Sequence, residues 1–195
     1  MGSDHSTLPP NSDKQADDES QLIDASLRGH SQAFGRLVQI HQDRLYNVIA
    51  QFVGDRVEAE DIVQDAFVQA YLKLKSFQRN SAFYTWLYRI AFNTAVSRRR
   101  RKRIETSVEK SREETGEEPV DFGDAPGDRL IRQERAQQLH SALDKLSAEH
   151  RAIVVLREIE GLDYEAIATI LEINIGTVRS RLHRARVQLR DKLNQ

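Results

Sequence analysis

Thr177, Arg179, Ser180, Arg181, His183 and Arg184 place hydrogen-bond donors within little more than two helical turns. Donors at this density suit two kinds of acceptor, the edges of bases and the oxygens of phosphates. A second group lies upstream. Asn80, Ser81, Ala82 and Phe83, with Tyr84, Trp86, Tyr88 and Asn93, offer amide donors and aromatic faces, the tools that hold single-stranded bases. Arg98–Arg103 adds six consecutive cations, suited to backbone phosphate and carrying no sequence information. Trp86, Leu87 and Ile90 also fit an apolar stripe, and core packing is the stronger reading of Trp86.

Other chemistries find little support. The absence of cysteine removes disulfides, thiolate metal ligands and cysteine nucleophiles, and fits a reducing compartment. The six histidines (His5, His30, His41, His140, His150, His183) follow no metal-ligand spacing, and His41 reads as packing. There is no phosphate-cradling glycine loop and no nucleophile elbow. These observations predict a protein without catalytic residues, cofactor or metal. The first twenty residues lack a basic start and an apolar stretch, and no apolar run reaches bilayer length. A cytoplasmic protein without membrane insertion is expected.

The elements that would carry these groups are helical. Over 195 residues, apolar positions recur at three- and four-residue steps and never alternate as in a strand. Leu22, Ile23 and Leu27 mark a first helix ended by Gly29. Ser31 is a candidate cap for a second, carrying Phe34, Leu37, Val38, His41, Leu45, Val48, Ile49 and Phe52. Asp55 with Glu58 forms a capping box for a third, whose stripe is Ala59, Ile62, Val63, Ala66, Phe67, Ala70, Tyr71 and Leu74. Lys75–Ala82 reads as a loop. A fourth helix bears Phe83, Trp86, Leu87, Ile90, Ala91 and Thr94 and runs into the cationic block, where self-repulsion disfavours further helix.

The predicted class is all-α: two small helical domains joined by a flexible acidic linker, the C-terminal domain with a helix-turn-helix. Residues 1–19 are expected to be a disordered tail, 20–103 the N-terminal domain, 104–128 the linker and 129–195 the C-terminal domain. The linker carries about −7 over 25 residues, and residues 175–195 about +5. That linker either mimics nucleic acid in a positively charged channel or serves solubility alone.

In the C-terminal domain, Ser147 and Asp163 are candidate caps, and Ile167, Ala168, Leu171, Ile173, Val178 and Leu182 supply a helix-turn-helix core. With Val178, Leu182, Ala185 and Leu189 turned inward, Ser180, His183, Arg184 and Val187 point outward. Arg179 and Arg186 flank one side, Thr177 and Arg181 the other. Two readings compete: a recognition helix for duplex DNA, or an amphipathic helix with a basic outer face.

Leu171–Arg186 resembles the second DNA-binding domain of bacterial RNA polymerase sigma factors, most nearly the extracytoplasmic-function (ECF) group. Ala59–Phe67 resembles that family's polymerase-binding helix and Phe77–Asn93 its promoter-melting segment. The resemblance spans about Ser20–Arg103 and Arg129–Leu193. It implies a subunit that binds core RNA polymerase, directs it to promoter DNA and helps open the strands. It further implies an anti-sigma factor as partner. On this resemblance Asp61, Gln64 and Asp65 face the coiled coil of the largest polymerase subunit. The residues alone also allow a solvated helix face there. Asn80, Ser81, Ala82, Phe83, Tyr88, Asn93 and Arg98 would serve the downstream element and melting. Thr177, Arg179, Ser180, Arg181, His183 and Arg184 would read the upstream element. The chain departs from the family at Glu172 and Arg79, where glycine is usual. A left-handed backbone at Glu172 would cost about 1–2 kcal/mol. A repressor binding DNA alone and a helical scaffold are the competing non-enzyme readings.

Overall fold

The computed structural model describes residues 12–108 and 138–193, with side chains over 18–101 and 138–193. Four helices come first: α1 (Ser12–Leu27), α2 (Ser31–Val53), α3 (Arg56–Lys73, followed by a 3-10 turn, Leu74–Ser76) and α4 (Phe83–Val108). The second half holds α5 (138–144), α6 (Ala148–Val154, continued by a π turn, Val155–Ile159), α7 (Tyr164–Leu171) and α8 (Ile175–Leu193). Among the described residues there is no strand.

Local chemistry explains most boundaries. Asp55 accepts a hydrogen bond from the Glu58 backbone N–H (2.9 Å), Ser147 from His150 (3.3 Å) and Asp163 from Ala166 (2.7 Å). Each side chain satisfies a donor that the first helical turn leaves free. At the far end of α2, Gly54 adopts a left-handed φ of 83° and its N–H returns to the Ala50 carbonyl. Ser31 is not a cap: His30 takes that position without a side-chain bond, and Ser31 is already helical.

Two helices run further than expected. α1 begins at Ser12, inside the segment expected to be a disordered tail; residues 1–11 lie outside the described residues. Good helix formers and acidic residues favour the extension, and Glu19 ties it to His41 on α2 (2.8 Å). α4 continues through the cationic block to Val108, where self-repulsion was expected to stop it. Successive side chains turn by about 100°, so neighbouring cations among Arg98–Arg101 point apart, and Arg98 is neutralised by Asp61 and Asp65 on α3. The rest of the acidic linker, 109–128, and the first residues of the expected C-terminal domain, 129–137, lie outside the described residues.

The two halves pack against each other. α4 explains why. Phe83, Thr85, Trp86, Leu87, Tyr88, Ile90, Ala91, Phe92 and Ala95 are all buried, so the helix is apolar nearly all round and needs cover on more than one side. Phe83, Trp86, Leu87 and Ile90 were legible as one stripe. Tyr88, Phe92 and Ala95, at steps of four and three, form a second, and α7 packs against α4. Ile170 of α7, unassigned by periodicity, is fully buried there.

Polar groups cross the same seam. Arg151, only 2% exposed, donates to the Phe52 carbonyl (3.2 Å) at the end of α2 and to the Asp144 carbonyl (2.8 Å), and pairs with the Asp144 carboxylate (2.6 Å). A Cβ added to Gly54 would lie 3.2 Å from Asp144 Oδ1. Positive φ and a close neighbour therefore both favour glycine there.

Candidate nucleic-acid interface

The C-terminal helix-turn-helix is built by α7, its turn and α8. Glu172 closes α7 at φ 54° and ψ 42°, in the left-handed conformation. Its N–H and that of Ile173 both return to the Ala168 carbonyl, which ends the helix sharply. Asn174 then starts α8: its side-chain oxygen accepts from the Thr177 N–H and the Thr177 hydroxyl, each at 2.8 Å. Val178, Leu182 and Ala185 are buried, while Ala168, Leu171 and Ile173 pack partly buried beside them.

Arg179, Ser180, His183 and Arg184 are exposed on α8. His183 and Arg184 make no hydrogen bond or ion pair among the described residues, so their donors are available to a ligand. The Arg179 guanidinium lies 5.9 Å from the centre of the Tyr164 ring, with Arg157 at 5.0 Å from the same ring. Tyr164 thus steers Arg179 through cation–π attraction; sequence reading missed it because the partners lie in different elements. Two expected groups are engaged otherwise. The Thr177 hydroxyl belongs to the cap. Arg181 is half-buried and pairs with Glu149 of α6 (3.2 Å). A groove of ≈ 590 Å³ against α4 brings Arg181 together with Asn93, Arg99 and Arg100.

The N-terminal element is the loop between α3 and α4. Aromatic packing fixes both flanks: the Phe77 ring is 5.1 Å from Trp86 and 5.7 Å from Phe83, centre to centre. Asn80 and Ala82 are exposed and Ser81 half-buried. Asn93 is exposed on α4, and Arg98, half-buried, lines a groove of ≈ 530 Å³ with Asp65, Gln69 and Thr94. Hydrogen bonding to Asp65, with Asp61 adding to it, raises the already high pKa of Arg98.

Phe83 and Tyr88 are both 1% exposed, which differs from the exposed aromatic faces the sequence suggested. Phe83 stacks against Phe77, Trp86 and His41. Tyr88 reaches the seam, where its hydroxyl donates to Glu160 Oε1 (3.0 Å) and Arg44 pairs with the same carboxylate. Burial, then the Glu160 charge, pushes the Tyr88 hydroxyl far above its ordinary pKa. Trp86, at 5% exposure, is a core residue.

α3 presents a separate row. Asp61 and Gln64 are exposed and Asp65 half-exposed, flanked by apolar side chains left open to solvent: Val57 (71%), Val68 (59%) and Leu72 (73%). Periodicity missed these three because they fall outside the core stripe. Their signal was their apolar type at positions facing water. Among the described residues no cluster of His, Asp or Glu forms a metal site, and no helix is long and apolar enough to cross a membrane.

Sigma-70 region 2 matches residues 37–104, and Sigma-70 region 4 matches 136–189. Over 173 residues the chain is 40% identical to the RNA polymerase sigma-H factor of Pseudomonas aeruginosa, covering 86% of this chain and 90% of the relative. The chain belongs to the ECF sigma factors. Another relative, the ECF sigma-E factor of Escherichia coli, is 35% identical over 178 residues, covering 88% of this sigma factor and 92% of that one. Among solved structures, the sigma factor RpoE of Bartonella quintana, co-crystallised with the anti-sigma factor NepR, matches with a TM-score of 0.68 and 28% identity. It covers 83% of this chain and 96% of that one. CnrH in complex with the cytosolic domain of CnrY matches with a TM-score of 0.66 and 26% identity, covering 91% and 97%. This sigma factor binds core RNA polymerase and directs it to promoters.

Proposed function

We propose a division of labour among three surfaces. The exposed row of α3, with Asp61, Gln64 and Asp65 between Val57, Val68 and Leu72, docks on core RNA polymerase. The loop Asn80–Ala82, with Asn93 and Arg98, takes the downstream promoter element and its separated strand, and Phe83 anchors that loop from within. Arg179, Ser180, His183 and Arg184 read the upstream element in the major groove, with Thr177 and Arg181 at its edge. The protein acts in the cytoplasm and catalyses no reaction itself; the chemistry belongs to the polymerase. An anti-sigma factor is its inhibitory partner, a reading supported by the similar sigma factor RpoE, which was solved in complex with the anti-sigma factor NepR.

One observation carries the polymerase assignment: three large apolar side chains stand in water beside acidic residues on a single helix. A helical partner would cover such a row, with apolar anchors at helical spacing. The closed seam has a consequence. Tyr88 is shut inside it by Glu160, so it becomes available to bases only when the two halves separate on promoter binding.

Gel filtration with purified core enzyme, followed by in vitro transcription on genomic fragments, tests this reading. Comigration and promoter-specific initiation are expected, and Asp61→Arg or Leu72→Asp should abolish both. Sequence-specific duplex binding that needs no polymerase would favour a repressor instead.

A further inference from the structure

Arg79 lies in the middle of the loop that flanks α4, and it holds an uncommon conformation. Its φ of 55° makes it, with Glu172, one of two described non-glycine residues in the left-handed region. The side chain does not reach toward solvent alone. One guanidinium nitrogen donates to Ser20 Oγ at 2.9 Å, and another pairs with the Asp24 carboxylate; both partners lie on α1. α1 also holds the loop by a second route. Glu19 binds His41 Nε2 at 2.8 Å, and the His41 ring packs 5.3 Å from Phe83, the first residue after the loop. Between these two tethers, Asn80 and Ala82 are left exposed, and the Asn80 amide donates only to the neighbouring Gln78 side chain (3.2 Å).

We infer that Arg79 is a positioning residue for the downstream element: its fork to Ser20 and Asp24 fixes the loop in the shape that presents Asn80–Ala82 to an unstacked base, which makes α1 part of the promoter-reading apparatus. This rests on the assignment of that loop to the downstream element. The physical reason is pre-organisation. A loop ordered before binding loses less conformational freedom on capture, and the difference appears as affinity and discrimination. A φ near 55° on a non-glycine residue persists where surrounding contacts hold it, and here those contacts come from another helix. Arginine suits the role because its planar fork meets a hydroxyl and a carboxylate together.

The test uses full-length protein reconstituted with core polymerase on promoters randomised in the downstream element, with permanganate reactivity of unpaired thymines reporting opening. The variant Ser20→Ala/Asp24→Asn removes the clamp and leaves Arg79 in place. It should bind core enzyme and the upstream element as the parent does, yet lose downstream base preference on the order of tenfold. Arg79→Gly should show the same loss. Arg79→Lys keeps a cation for Asp24 and should retain most of the preference. An unchanged base preference in Ser20→Ala/Asp24→Asn overturns the proposal. So does a loss confined to Arg79→Gly, since Arg79 would then touch DNA itself. Asn80→Ala separates this failure from that of the underlying assignment: if it too leaves base preference unchanged, the loop does not read the downstream element at all.

Discussion

Arg79 and Glu172 share a backbone conformation to within a degree in φ, yet they are supported in different ways. Arg79 is tied to α1 by its own side chain. The Glu172 side chain makes no hydrogen bond or ion pair among the described residues; its turn is held by backbone closure onto Ala168 and by the Asn174 cap. One turn depends on a distant helix, the other on the few residues of its own motif. The downstream reader should therefore be sensitive to α1, and the upstream reader should behave as a self-contained unit.

The largest expected effect tests that independence. Arg184→Ala should weaken upstream-element recognition by about 1–3 kcal/mol, roughly five- to 150-fold. A binding-site selection assay should show relaxed upstream preference with the downstream preference intact. A change in both would mean that the two readers are coupled through the seam. Next in size, Asn174→Ala removes the side-chain cap of α8 and should cost about 1 kcal/mol in denaturant unfolding. An equal loss from Ser20→Ala would contradict the contrast, because a capped turn should outweigh one bond to an exposed side chain.

Glu172→Gly should stabilise the protein by about 1 kcal/mol, since relief of left-handed strain is opposed only by glycine's greater freedom in the unfolded chain. The smallest effect is expected for Arg79→Gly. Strain relief is there offset by loss of two exposed contacts, of which the ion pair contributes roughly 0.2–1 kcal/mol. Its unfolding free energy should stay within about 0.5 kcal/mol of the parent. A gain as large as that of Glu172→Gly would show that the clamp to α1 contributes nothing to stability.

The seam between the halves gives a second lesson. Local signals in the sequence marked the two helical regions but did not reveal that they share a core. The stripe Phe83, Trp86, Leu87 and Ile90 could be read as one buried face; Tyr88 looked equally suited to a base. What decides the matter is Glu160, whose carboxylate receives the Tyr88 hydroxyl across 72 residues of sequence. Similarly, Arg181 has the composition of a DNA contact, and only its pairing with Glu149 shows that its guanidinium is already engaged. Val57, Val68 and Leu72 went unassigned for the opposite reason: periodicity identifies the covered face of a helix, while a docking surface is an apolar face that stays uncovered.

The sequence by itself determined the helical class, most helix boundaries and the helix-turn-helix. Those follow from caps three residues apart, apolar steps of three and four, and runs of donors, all of which are local. Only the tertiary structure decided which aromatic residues are buried, which cations are already paired and what holds the left-handed turn at Arg79. These depend on partners such as Ser20, 59 residues away. A side chain's chemistry is written in its type, but its availability is set by whatever the fold brings beside it.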